Sequence, residues 1–173
     1  MSQMIRLPRF AFAAAAALLL AACATEPDLV DQTGGAGSGG FGAGGPGQFD
    51  PRSVEYFNVT VGDRVFFAFD SAALDPMALD TLTRQAAWLT ENPGVTVTIE
   101  GHADERGTRD YNLALGARRA QAARDFLLGQ GVPATRMRTV SYGKERPVAL
   151  GSDEGSWAQN RRAVTVVAGA PTS

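Results

Sequence analysis

VTVTIEGHADERGT, residues Val95 to Thr108, decides how this chain is read. Its first half alternates Val95, Val97 and Ile99 with Thr96, Thr98 and Glu100, the period-two pattern of a strand with one face buried. The strand ends at Gly101-His102. Ala103 to Gly107 make a short loop, and Thr108 supplies a helix N-cap with Asp110 in the first turn, where negative charge suits the helix dipole. The helix runs to about Leu128; Gly129 or Gly131 ends it and Pro133 prevents its resumption. A strand feeding a capped helix through a short loop is the building unit of a layered α/β domain.

Working upstream, Arg64 to Phe69 is β-branched and aromatic and reads as a strand, followed by a loop at Asp70-Ser71-Ala72-Ala73. Asp75-Pro76 then caps a helix with proline at its first position, and Leu79, Leu82, Ala86 and Leu89 recur at helical spacing until Asn92-Pro93-Gly94 stops the run. Downstream, Met137 to Tyr142 and Arg162 to Val167 read as strands, with a loop and a helical turn at Ser152 to Gln159. The order is βαβαββ. Strands joined through helices favour parallel pairing by right-handed crossovers, and the last two strands are free to run antiparallel. The expectation is a small α/β sandwich, of α+β character, with a mixed sheet and two main helices on one face, across residues 51–173.

The remainder of the chain is of another kind. Arg6 and Arg9 precede an apolar run from Phe10 to Ala22 that is too short and alanine-rich to anchor in a bilayer core of roughly 30 Å, so residues 1–22 read as a cleaved signal peptide. The run ends in Leu20-Ala21-Ala22-Cys23, which looks like a bacterial lipobox, and Cys23 is the only cysteine in the chain. Cleavage before Cys23 and acylation of its thiol are expected, which also excludes an internal disulfide framework. Residues 24–50 contain nine glycines and few apolar residues, so with Cys23 they form a lipidated, flexible tether whose root-mean-square span is about 29 Å. Gly35, Gly37 and Gly40 in this tether match a dinucleotide fingerprint, but no strand precedes them and no helix follows.

Charge narrows the partners. Of 16 basic side chains, loss of Arg6 and Arg9 leaves 14 against 18 acids, a formal charge of −4, which disfavours nucleic acid. Lys144 is the sole lysine; an arginine-dominated basic set suits planar recognition of carboxylates.

One arginine is out of place. At roughly 100° per residue, Tyr111, Leu115, Ala122 and Phe126 fall on a core-facing stripe of the second helix, and Arg119 lies in the middle of it. A guanidinium there must meet a carboxylate, a ligand anion or water. Asp104, on the loop that starts the same helix, is the nearest acid. Either the two pair with each other, or they flank a pocket whose carboxylate takes an ammonium while its guanidinium grips a carboxylate, a match for a zwitterion such as an amino acid. Spacing leaves both open.

Gly101 to Thr108, with Tyr111-Asn112, Leu115-Gly116, Arg118-Arg119-Ala120, Ser141 to Glu145 and Asn160-Arg161-Arg162, closely resembles the peptidoglycan-associated lipoprotein family, within the broader group of OmpA-like C-terminal domains. The resemblance covers roughly residues 64–168 together with the lipobox and tether. It implies non-covalent binding of meso-diaminopimelate in the peptidoglycan stem peptide by Asp104 and Arg119, with Asn112, Phe69 and Asp70 lining the site. It further implies TolB as a periplasmic partner, membership of the Tol-Pal system in envelope integrity and cell division, and anchorage to the outer membrane, since Ala24 is not the aspartate that retains lipoproteins at the inner membrane. Arg106 departs from many relatives, which carry a small polar residue there; the Glu105-Arg106 pair follows the peptidoglycan-associated branch.

A wall hydrolase is the rival from another class. With one histidine and a lipid-blocked cysteine, the mature chain offers little for nucleophilic, general-base or zinc chemistry, so no enzyme, cofactor or metal site is expected. His102 is expected to be a strand-end residue hydrogen-bonded to backbone, and the adjacent acids Asp104-Glu105 and Asp153-Glu154 to be solvated rather than a glycosidase pair. A wall-gripping lipoprotein that does not work with TolB is the second rival.

Overall fold

The computed structural model describes residues 49–168; Cys23, the signal sequence and most of the tether lie outside them. In chain order the elements are α1 (Val54–Tyr56), running on into a π-helical Phe57–Gly62, β1 (Arg64–Phe66), α2 (Pro76–Glu91), β2 (Val97–His102), α3 (Arg109–Gly129), a single 3-10 turn at Ala134–Arg136, β3 (Met137–Gly143), α4 (Glu154–Asn160) and β4 (Arg162–Val167).

Helix starts follow the local chemistry. Asp75 Oδ1 accepts from Ala78 N at 2.7 Å with Pro76 at the first position, and Thr108 Oγ1 accepts from Tyr111 N at 3.3 Å. Asn92 ends α2, its side-chain amide donating to Trp88 O at 2.8 Å. The helical segment from Val54 to Gly62 carries no periodic signal. It exists because Phe57, fully buried, packs on Trp88 with ring centroids 4.7 Å apart, while Gln85 donates to Gly62 O at 2.6 Å.

The sheet order is β1-β4-β2-β3. β2 and β3 pair in parallel through α3, as expected of a helical crossover. β4 is inserted between β1 and β2 and runs antiparallel to both, so β1 and β2 share a direction without sharing hydrogen bonds. The mixed sheet is as read from the pattern, but the last strand pairs antiparallel with β1 and β2 in the sheet's interior and not with β3.

α2 and α3 cover one face. Val65, Val97, Ile99, Ala163 and Val167 point to them and pack with Leu82, Leu89, Ala120, Ala123 and Leu127. The buried stripe of α3 is Asn112, Leu115, Gly116, Arg119, Ala120, Ala123 and Leu127. Tyr111, placed on the core stripe by the helical wheel, is instead 45% exposed, and Phe126 is only partly buried. The cause is a close approach: a Cβ on Gly101 would lie 1.9 Å from Gly116 O, so helix and strand touch backbone to backbone. Small residues must face the sheet there, and the bulky ones rotate to the flanks.

Candidate functional site

β1 was expected to extend to Phe69 but stops at Phe66, because the chain beyond it turns its carbonyls inward. Arg119, fully buried, donates from Nε to Ser71 O at 2.8 Å, from one terminal nitrogen to His102 O at 2.8 Å and from the other to Ala68 O at 3.1 Å. Three of the five guanidinium N–H groups are thereby fixed by backbone, leaving about two for a ligand oxygen. Burial lowers the Arg119 pKa to about 10, with the Asp104 charge opposing it, so the side chain stays cationic at neutral pH.

Asp104 is 4% exposed and does not pair with Arg119. Its Oδ2 accepts from the Arg106 guanidinium at 2.7 Å and from Arg161 at 3.4 Å, while Oδ1 accepts from Arg106 N at 3.1 Å. Burial pushes the carboxyl up, but the hydrogen bonds and charge of Arg106, helped by Arg161, outweigh it and hold the group below its ordinary value. Of the two readings open at the sequence level, the direct pair is therefore not formed.

Arg106 is itself clamped. Its guanidinium lies 4.1 Å from the Phe69 ring centroid and 4.0 Å from that of Trp157, with Glu154 Oε2 at 3.8 Å. Asp70 takes a left-handed backbone, φ 51°, and accepts a hydrogen bond from the Tyr111 hydroxyl. Asn112, nearly fully buried, donates to Arg106 O at 2.9 Å and so ties the loop to α3.

Phe69, Asp70, Asp104, Asn112 and Arg119 thus converge on one cleft of about 170 Å³, with Arg106, Gly107, Tyr111 and Leu115 completing the wall. The volume suits the head of an amino acid, well under the several hundred Å³ of a drug-sized site. A fixed guanidinium with free N–H groups faces a carboxylate kept ionised across the cleft, and the sides are aromatic. Sequence reasoning missed Arg161 and Trp157, which lie more than 50 residues beyond Asp104 and reach Asp104 and Arg106, respectively, only through the fold.

The model of the OmpA family matches residues 66–161, from the last residue of β1 through α4, which takes in the cleft together with β2 and β3 and stops just before β4. The chain belongs to the OmpA family. Within that family it groups with proteins named peptidoglycan-associated lipoprotein: one from Agrobacterium fabrum is 56% identical over 89% of this chain and 84% of its own, and one from Brucella melitensis is 53% identical over 88% of each. The crystal structure of the peptidoglycan-associated lipoprotein from Burkholderia pseudomallei superposes with a TM-score of 0.63 at 44% identity, covering 68% of this chain and 99% of that one. The OmpA-family domain therefore has solved counterparts for its fold.

His102 breaks an expectation. Its imidazole is 2% exposed, stacks on Tyr142 with centroids 5.5 Å apart, and neither ring nitrogen has a hydrogen-bond partner among the described residues. Only its backbone carbonyl serves the Asp104–Arg119 cleft. Its side chain leaves on the opposite face of the sheet.

Proposed function

We propose that this protein is an outer-membrane lipoprotein that grips peptidoglycan non-covalently, the cleft taking the zwitterionic end of meso-diaminopimelate in the stem peptide. The observation that carries the reading is the Asp104–Arg119 cleft itself, occurring in a chain 56% identical to a protein named for its association with peptidoglycan. The ligand carboxylate docks on the free N–H groups of Arg119, and the ligand ammonium on the remaining lone pair of Asp104 Oδ1, one charge-assisted contact at each end. Phe69 and Tyr111 flank the stem, and Asn112 and Asp70 hold the loop. No bond is made or broken.

The acyl chains on Cys23 hold the outer membrane while the domain holds the wall, and the glycine-rich tether between them sets the reach. TolB is the periplasmic partner that brings the pair into the Tol-Pal system, and through it into envelope integrity and division. The test is a pull-down on purified sacculi. Asp104→Asn, which is isosteric, and Arg119→Lys, which keeps the charge but loses the guanidinium fork, are expected to lose binding at least about tenfold while free diaminopimelate competes with the wild type. Wild-type retention in both folded variants overturns the site. Co-purification with TolB at native expression tests the partner separately.

A further inference from the structure

The helix-free face of the sheet carries a second cleft, of about 180 Å³, lined by Arg64, Glu100, His102, Arg146, Arg162 and the aliphatic Val164, with Pro147, Val148 and Val166 at its rim. Several of its buried polar groups are unmatched. Arg162 is 4% exposed, yet its Nε finds no acceptor among the described residues, and its terminal nitrogens make only long contacts, 3.4 Å to Asn160 O and 3.2 Å to Arg146 O. His102 stands beside it with both nitrogens unpartnered. A native structure rarely leaves several buried donors idle in one place.

The charges point the same way. Arg64 is neutralised by Asp63, with two contacts of 2.7 Å. Arg146 lies over the Tyr142 ring at 3.7 Å, and neither it nor Arg162 comes within 4 Å of a carboxylate among the described residues. Glu100 is the one opposing charge, and it stands 3.6 Å from His102 Nε2. Two guanidiniums against one carboxylate leave the cleft a net cation, in a place where burial weakens water's screening. Burial first, then Arg162, Arg146 and Arg64, lowers the His102 pKa to about 3, so at neutral pH the ring is uncharged and offers one N–H and one acceptor.

We propose that this cleft is a second binding site, for an oxyanion: a carboxylate or phosphate group that accepts from the Nε–H of Arg162, the N–H of His102 and the guanidinium of Arg146. Both groups carry two or more acceptor oxygens, which is what the idle donors require, and the planar guanidiniums suit either one. The site is separate from the wall-binding cleft and does not depend on that reading.

His102 is the only histidine in the chain, so its imidazole resonances report on the cleft without ambiguity. The experiment is a titration of the full-length protein, in detergent at pH 7.5, with sodium phosphate and in parallel with sodium acetate, following the His102 signals by NMR. Sodium chloride at matched ionic strength is the control. Saturable shifts with phosphate or acetate are expected, absent with chloride, and the tighter of the two identifies the group as phosphoryl or carboxylate. Arg146→Gln, on an exposed loop where folding is spared, is expected to weaken the tighter anion about tenfold. Shifts that do not saturate, shifts that chloride reproduces, or an affinity indifferent to Arg146→Gln would each overturn the proposal.

Discussion

Arg119 and Arg162 are both buried arginines without a carboxylate in contact, one on each face of the same sheet. Arg119 has three carbonyl oxygens within 3.1 Å, supplied by the loop after β1 and by the end of β2. Arg162 has two marginal contacts and an idle Nε. The contrast separates two ways of keeping a cation inside a protein. Around Arg119 the backbone has been folded into a socket, so the charge is part of the fold and its leftover donors are already aimed. Around Arg162 the scaffold supplies shape and charge but few acceptors, so the matching group must come from outside.

That distinction makes its strongest demand on stability. Arg119→Met removes the donor from three carbonyls at once, those of Ala68, Ser71 and His102, and loosens the loop between β1 and α2. A loss of roughly 3–5 kcal/mol is expected in urea unfolding, the range for stripping a buried charged group from its partners. If Arg119→Met unfolds within about 1 kcal/mol of wild type, the socket is not a structural element and the contrast collapses.

Wall binding supplies the next test, through pH. Asp104 has its folded pKa below its ordinary 3.8, so what its ionised form contributes is present above that value and lost as pH falls through the lower folded one. Sacculus binding is therefore expected to persist at about pH 4 and to fail only as the pH falls below 3.8 and through the lower folded pKa, where the Asp104 carboxyl becomes neutral and unable to take an ammonium. Arg119 does not limit the same range, since its pKa stays near 10. A binding curve that falls away near pH 6 would assign the acid limb to some other group.

On the far face the expected effect is smaller. Arg162→Met gives up a guanidinium whose desolvation is poorly compensated, and its stem already packs in the sheet, so a change within about 1 kcal/mol of wild type is expected. A loss as large as that at Arg119 would show that the weak contacts to Asn160 O and Arg146 O matter more than their lengths suggest.

The difference between the two arginines was half legible in the sequence. Arg119 announces itself because it interrupts a helical stripe, and the caps at Asp75-Pro76 and Thr108 and the bounds of β4 are local chemistry read at the right residues. Arg162 sits at the start of a strand, where an arginine excites no suspicion. What surrounds either one depends on β4 entering between β1 and β2, a pairing across about a hundred residues of chain that no local pattern encodes. The same insertion carries Arg161 and Trp157 to Asp104 and Arg106, which is why Asp104 and Arg119 could be singled out from spacing, and Asn112, Phe69 and Asp70 from the family resemblance, while the outer clamp could not. Tyr111 was misplaced for a different reason: the wheel weighs size and apolarity, whereas Gly101 against Gly116 demands smallness.

Tyr111 gives the finest probe of the socket, because it touches the loop from outside. Its hydroxyl donates to Asp70, whose left-handed backbone lies in the same loop after β1 that delivers Ala68 O to Arg119. Tyr111→Phe keeps the aromatic wall of the cleft and removes only that bond. The residue is 45% exposed, so solvent replaces most of the lost contact and stability is expected to fall by a few tenths of a kcal/mol at most. If the loop is held chiefly from inside, by Arg119, affinity for sacculi should change by less than about threefold. A larger drop in affinity with unchanged stability would mean that the socket alone does not set the loop, and that the Tyr111–Asp70 bond finishes what the buried arginine begins.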